Sequence, residues 1–196
     1  MNASTEKKQN KRPHKSSFTK GLLEQVELIV IFFAIIILIF SFVCKTCIVD
    51  GDSMLNTLHN GERVVVWNLF YTPDYGDIVV IHESGDLNKP IVKRIIGLPG
   101  DSVKVEHYSE TMKVTITHAD GSSEILTEDY IRYEGTSYAY YSQSEIYIVG
   151  DGEVFVMGDN RLDSLDSRKL GCVDSRQILG KVVLRITPFD KFGTVK

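Results

Sequence analysis

Groups able to do chemistry concentrate in three segments of this chain, which carry hydroxyl, amine, carboxylate and guanidinium side chains. The first is Gly51-Asp52-Ser53-Met54-Leu55-Asn56-Thr57-Leu58 and the second Lys93-Arg94-Ile95-Ile96-Gly97-Leu98-Pro99-Gly100-Asp101. The third is Met157-Gly158-Asp159-Asn160-Arg161-Leu162-Asp163-Ser164-Leu165-Asp166-Ser167-Arg168. Such groups can serve nucleophilic and general-base catalysis or, as carboxylates alone, a hard cation. A cation would draw on Asp159, Asp163 and Asp166, but their spacing follows no known loop such as the EF-hand. There is no G-x-S-x-G elbow, Walker loop or G-x-G-x-x-G. Ser-x-x-Lys occurs once, at Ser17–Lys20, ahead of a long apolar run and without a Lys-Thr-Gly partner, and reads as chance. Counting leaves a Ser-His-Asp triad open, because His59, His82, His107 and His118 all follow that run, although none has a distinctive setting.

The order of the three segments behind an N-terminal apolar run resembles the type I signal peptidases in their short, Gram-positive-like form. Only residues 106–149 lie outside the resemblance. It implies a serine endopeptidase with a Ser/Lys dyad that removes N-terminal signal peptides from exported preproteins, cutting after small residues in an A-x-A-like pattern. By the same resemblance Ser53 is the nucleophile and Lys93 the general base. Ser164 stands where it would orient the Lys93 amine, and Asp166 with Arg168 would hold the site together as an ion pair. Asp159 and Asn160 are expected to order the turn entering the third segment. Two positions depart from the family. Asn56 stands where proline is common, and Gly51 where some members carry a hydroxyl residue that helps the oxyanion hole. The hole is therefore expected to rest on backbone N–H groups, including that of Ser53.

The lysine has an independent argument. In a strand through Ile91-Val92-Lys93-Arg94-Ile95, period-two alternation puts Lys93 on one face with Ile91 and Ile95. An ammonium desolvated between isoleucines loses proton affinity, so a neutral amine becomes available to take the serine proton. Val49, Met54 and Val92 flank Ser53 and Lys93 in sequence and are candidate walls of a substrate pocket for small side chains.

These residues need a scaffold, and two kinds of element are legible. From Leu28 to Val43 the chain is apolar except for Ser41, and Leu22, Leu23, Val26 and Cys44 extend the run. As a helix, residues 22–44 would rise roughly 35 Å, enough for a hydrocarbon core of about 30 Å. The run is longer than the apolar part of a cleaved leader and ends in Cys44-Lys45-Thr46-Cys47 with no A-x-A, so it reads as a retained anchor. Beyond it the helical signal stops and short runs rich in Val, Ile, Thr and Tyr alternate with turn residues. The expected fold is mostly β: one transmembrane helix, then an extracytoplasmic antiparallel β-sheet domain carrying an inserted, smaller β subdomain. The expected divisions are a basic tail at 1–21, the anchor at 22–44, core β at 45–105, the insert at 106–149 and core β again at 150–196. Strands are expected at Thr46–Val49, Arg63–Trp67, Asp77–His82, Ile91–Ile96, Ser102–Glu106, Met112–His118, Glu145–Val149, Val154–Met157 and Lys181–Ile186.

Charge sets orientation and excludes some partners. Residues 1–20 carry six basic side chains against Glu6, whereas the whole chain has net charge −4. A basic tail before an apolar helix favours a cytoplasmic N-terminus in a cell membrane and a body on the far side. An acidic body argues against nucleic-acid binding. The expected partners are the lipid bilayer and preprotein signal peptides at its surface, with a monomeric chain and no cofactor. Three cysteines, Cys44, Cys47 and Cys172, are an odd count and give no complete disulfide framework. Two rival readings are a catalytically silent, anchored β module that binds exported proteins, and a self-cleaving Ser/Lys protease of the repressor type, which the span disfavours.

Overall fold

The structure is a computed structural model that describes residues 17–82, 89–108, 111–132 and 144–195. The chain divides into two compact units, Met1–Phe42 and Val43–Lys196.

Helix α1 (Ser17–Val43) is 27 residues long, roughly 40 Å at the α-helical rise. Its described Leu, Ile, Val and Phe side chains between Leu22 and Phe40 are exposed apart from half-buried Ile36, and Lys20–Leu38 is long and apolar enough to cross a membrane. Ser41, the one hydroxyl in the apolar run, donates to the Ile37 carbonyl one turn back at 2.8 Å, so it is not left unsatisfied. The helix starts at Ser17, ahead of the expected Leu22, and takes in the Ser17–Lys20 pattern. It stops at Val43, because Cys44 already pairs with Trp67 as a strand residue. Residues 1–16 of the expected basic tail lie outside the described residues.

The second unit is built of strands β1 (Cys44–Ile48), β2 (Arg63–Trp67), β3 (Ile78–His82), β4 (Pro90–Gly97), β5 (Ser102–Tyr108), β6 (Thr111–Thr117), β7 (Ser123–Ile125), β8 (Glu145–Ile148), β9 (Glu153–Met157), β10 (Val173–Asp174), β11 (Ile178–Thr187) and β12 (Gly193–Thr194), with a single-turn helix α2 (Ser167–Leu170). The larger sheet runs β1-β2-β11-β3-β4-β9-β10 with β12 beside β11, and the smaller runs β7-β6-β5-β8. All pairings between named strands are antiparallel. Strands β7, β10 and β12 and helix α2 were not expected; at two to four residues they are too short to show a period. Strand β5 pairs with β6 and β8, so the smaller sheet begins at Ser102, within the stretch expected to be core.

The β-branched residues of β3, β4 and β9 are buried on both faces, which is why they read as near-continuous apolar runs rather than as alternation. One apolar cluster joins Val49, Met54 and Leu58 to Val64, Val66, Ile78, Val80, Val92 and Val182. Another carries Ile96, Phe155 and Met157 of the larger sheet onto Val103, Val105, Val114 and Ile116 of the smaller. Burying each such side chain contributes about 1.5–3 kcal/mol. Gly97 sits at that junction, where a Cβ would fall 2.7 Å from a Val103 methyl. Only a residue without a side chain lets β4 pass so close to β5. A polar clasp reinforces the junction: the Tyr75 hydroxyl donates to buried Asp101 at 2.7 Å, and His118 lies 3.3 Å from the same carboxylate.

Candidate active site

Ser53 lies on the tight turn between β1 and β2. The turn is closed by the Leu58 N–H donating to the Met54 carbonyl at 2.8 Å and the Leu55 N–H to Asp52 at 3.2 Å. Met54 and Leu58, 1% and 0% exposed, sink into the first apolar cluster and fix the turn to the sheet. Ser53 itself stays partly open. Lys93 projects from β4, 3% exposed, and its Nζ lies 2.7 Å from Ser53 Oγ and 2.9 Å from the Val92 carbonyl oxygen. Ile91 and Ile95 share an apolar cluster with Val79 and Ile81, as alternation suggests. The amine at the tip of the Lys93 side chain meets the serine. Strand β9 pairs with β4 only from Arg94 onward, which leaves the Ser53 turn beside the first half of β4.

A cleft of about 180 Å³ opens at this point. Val49, Met54 and Val92 line it together with Ile91, Ser53 and Lys93. Asp50 and Lys89 stand at its exposed rim, 3.4 Å apart.

Behind the cleft the third segment locks the turn from below. The Asn160 N–H donates to the Ser53 carbonyl at 2.9 Å, and its side-chain amide reaches the Asp52 carbonyl at 3.3 Å. Gly158 passes so close that a Cβ there would fall 2.5 Å from the Ser53 carbonyl oxygen. Ser164 is buried against Gly158, and its hydroxyl makes no hydrogen bond to Lys93. The orienting contact expected of Ser164 is thus not formed in this structure, where the amine is held by Ser53 and by the carbonyl of Val92.

The carboxylates of the segment meet guanidinium groups. Asp166 accepts from Arg168 Nε and Nη2, each at 2.7 Å, and from the Gly158 N–H at 2.9 Å. Burial pushes its carboxyl up, but the Arg168 charge and these hydrogen bonds outweigh burial and hold it below the usual carboxylate value. Asp159 accepts from Arg94 Nε at 2.9 Å and Nη2 at 2.8 Å, and the Thr57 hydroxyl also donates to it. Burial alone would lower the Arg94 pKa, yet the bond and charge of Asp159 raise it. With both carboxylates facing arginines and Asp163 exposed, these residues do not converge as a cation site, and the described residues contain no metal-ligand cluster. His59 lies beside Glu62 and His118 beside Asp101 and Glu124, while His82 ends β3 and His107 sits on β5 opposite Met112. All three cysteines are free thiols.

The roles of Arg94, Thr57, Glu128, Tyr130 and Arg132 were not among the expectations from the sequence. Arg94 could have been found: alternation puts it on the face opposite Lys93, and a buried arginine demands a carboxylate.

The profile of the family described as signal peptidase, peptidase S26, matches residues 22–187. Signal peptidase I S of Bacillus subtilis is 46% identical over 91 residues, 45% of this chain and 48% of that protein. Signal peptidase IB of Staphylococcus aureus is 38% identical over 98 residues, 48% of this chain and 49% of that protein. A crystal structure of a signal peptidase I from Enterococcus faecalis is 28% identical, with a TM-score of 0.42 over 58% of this chain and 98% of that one. The chain spans about half the length of the curated relatives it matches. With the profile covering all three chemical segments and most of the helix, this chain belongs to the signal peptidase, peptidase S26, family.

Proposed function

We propose that the chain is a membrane-anchored serine endopeptidase that removes N-terminal signal peptides from exported preproteins, with Ser53 as nucleophile and Lys93 as general base. The observation that carries this reading is the buried Lys93 amine 2.7 Å from Ser53 Oγ. Burial disfavours the ammonium, and a neutral amine has one lone pair and two N–H groups. One N–H is directed to the Val92 carbonyl, which leaves the lone pair for the serine proton. As Oγ bonds to the substrate carbonyl carbon, that proton passes to Nζ and the carbonyl π electrons move to oxygen. The backbone N–H of Ser53 is the expected donor to the oxyanion. Collapse breaks the C–N bond, and Nζ returns the proton to the leaving amine. Water then attacks the acyl-Ser53 ester with Lys93 again as base, which releases the cut signal peptide and restores the hydroxyl.

Cleft size and chain length support the substrate class. A cleft of about 180 Å³ walled by Val49, Met54 and Val92 suits small side chains ahead of the cut. Ser53 lies nine positions beyond Cys44, a reach of at most about 30 Å, so a nucleophile tethered to a membrane helix works near the bilayer surface. In this reading the basic tail stays cytoplasmic and residues after Cys47 face outward.

The deciding experiment incubates the detergent-solubilised full chain with a preprotein, beside Ser53→Ala. Cleavage by wild type alone is expected. Equal cleavage by both proteins overturns the role of Ser53, and cleavage by neither favours a silent binding module.

A further inference from the structure

Within residues 106–149, a strap at 126–132 enters the site from behind. Leu126 anchors it to the smaller sheet through its N–H on the Val114 carbonyl at 2.9 Å. Glu128, its side chain 3% exposed, pairs with the buried guanidinium of Arg161 and accepts the Tyr130 hydroxyl at 2.6 Å. The Tyr130 ring lies under the Arg94 guanidinium, 3.8 Å from its centroid. Next comes a parallel bridge of Arg132 with Asn160. The Arg132 N–H donates to the Asp159 carbonyl and the Arg161 N–H to the Arg132 carbonyl, both at 2.8 Å. Anchored on both sides, Arg132 extends Nη1 to Asn56 Oδ1 at 3.0 Å. Asn56 is three residues beyond Ser53, on the same turn.

We propose that Arg132 is a positioning residue for the nucleophile turn, its guanidinium bracing Asn56 so that the Ser53 hydroxyl stays on the Lys93 amine. The proposal rests on Ser53 being the nucleophile. Arg94 and Asn160 hold the turn from one side, through Asp159 with Thr57 and through the Ser53 carbonyl. The exposed side of the turn, where Asn56 sits, is braced by the Arg132 side chain. The reacting oxygen and amine must stay within hydrogen-bond reach, so loosening this brace acts on the rate of the chemical step more than on substrate binding.

Arg132→Ala keeps both backbone bonds of the strap, so the fold is expected to survive. The full chain in detergent is assayed for preprotein cleavage, and hydrogen exchange is followed in peptides covering 52–58 and covering β5–β6. Arg132→Ala should lower kcat about tenfold or more with KM changed less than about twofold. It should speed exchange in 52–58 and leave β5–β6 unchanged. Asn56→Ala, a surface change, should reproduce both effects, and the double variant should be no worse than either single one. The proposal is overturned if exchange in 52–58 is unchanged in Arg132→Ala, if the two defects multiply in the double variant, or if exchange rises throughout the domain. Should wild type leave the preprotein intact, the peptidase reading falls, while the exchange measurements still decide whether Arg132 braces the turn.

Discussion

Lys93 and Arg94 are neighbours on β4 and equally buried, at 3% exposure, yet they enter regions built in different ways. Arg94 faces a closed cluster in which Asp159 meets it with both carboxylate oxygens, Tyr130 covers its face, and Glu128 and Arg161 pair alongside. Lys93 faces a cleft, with its amine on a hydroxyl and a carbonyl. A guanidinium stays protonated wherever it sits and its carboxylate fixes its position, whereas an amine on a hydroxyl can give up a proton and take one back. The first region is therefore suited to holding geometry and the second to exchanging a proton.

The sharpest way to break this contrast is Lys93→Arg, which puts a permanent cation where proton exchange is needed. Preprotein cleavage should fall by about 10⁴-fold, as when a member of a catalytic unit is lost. Near-normal turnover, combined with an inactive variant among His59→Ala, His82→Ala, His107→Ala and His118→Ala, would return the histidine triad.

On the other side of β4, Asp159→Ala leaves Arg94 buried without its carboxylate. Denaturant titration should register a loss of about 3–5 kcal/mol, because one partner of a buried pair has been removed. A loss under about 1 kcal/mol, typical of an exposed pair, would show that the cluster is wetter than its burial implies.

Gly158→Ala probes the seam between the two regions. A methyl 2.5 Å from the Ser53 carbonyl oxygen must push the nucleophile turn or the backbone beneath it. Overpacking of this kind costs about 1–3 kcal/mol and should lower kcat together with the melting temperature. Unchanged kcat would mean that the turn can shift without harm to the dyad.

The smallest effect is expected from acid. Asp166 is held below its ordinary value of 3.8 in the folded chain. Its contribution to stability is complete above the unfolded value and is lost as pH falls through the folded one, so the denaturation midpoint should drop below about pH 4. Asp166→Asn should flatten that part of the profile. An unaltered slope would assign the acid sensitivity to other carboxylates.

Strands were legible where β-branched residues are dense. The expected Arg63–Trp67 is β2 itself, and Ile91–Ile96 lies within Pro90–Gly97. The membrane-length helix was legible from hydropathy alone. Lys93 and Ser53 could be nominated because motif and alternation both act over a few residues. The strap could not. Glu128 and Arg161 are 33 positions apart and Arg132 and Asn56 are 76 apart, and a pairing across such distances leaves no periodic trace in the chain. The same limit applies to Asp159, expected to order its turn, because its pairing with Arg94 spans 65 positions.

The strand order also bears on when the Ser53–Lys93 pair is assembled. Strand β11, residues 178–187, lies between β2 and β3 in the larger sheet, although both precede it by about a hundred residues. During synthesis, Ser53 and Lys93 are made long before the strand that joins their two halves of the sheet and before Asn160, which holds the Ser53 carbonyl. A growing chain therefore carries Ser53 and Lys93 in an unassembled sheet. In the proposed reading, the Ser53–Lys93 pair is complete only once translation has passed residue 187.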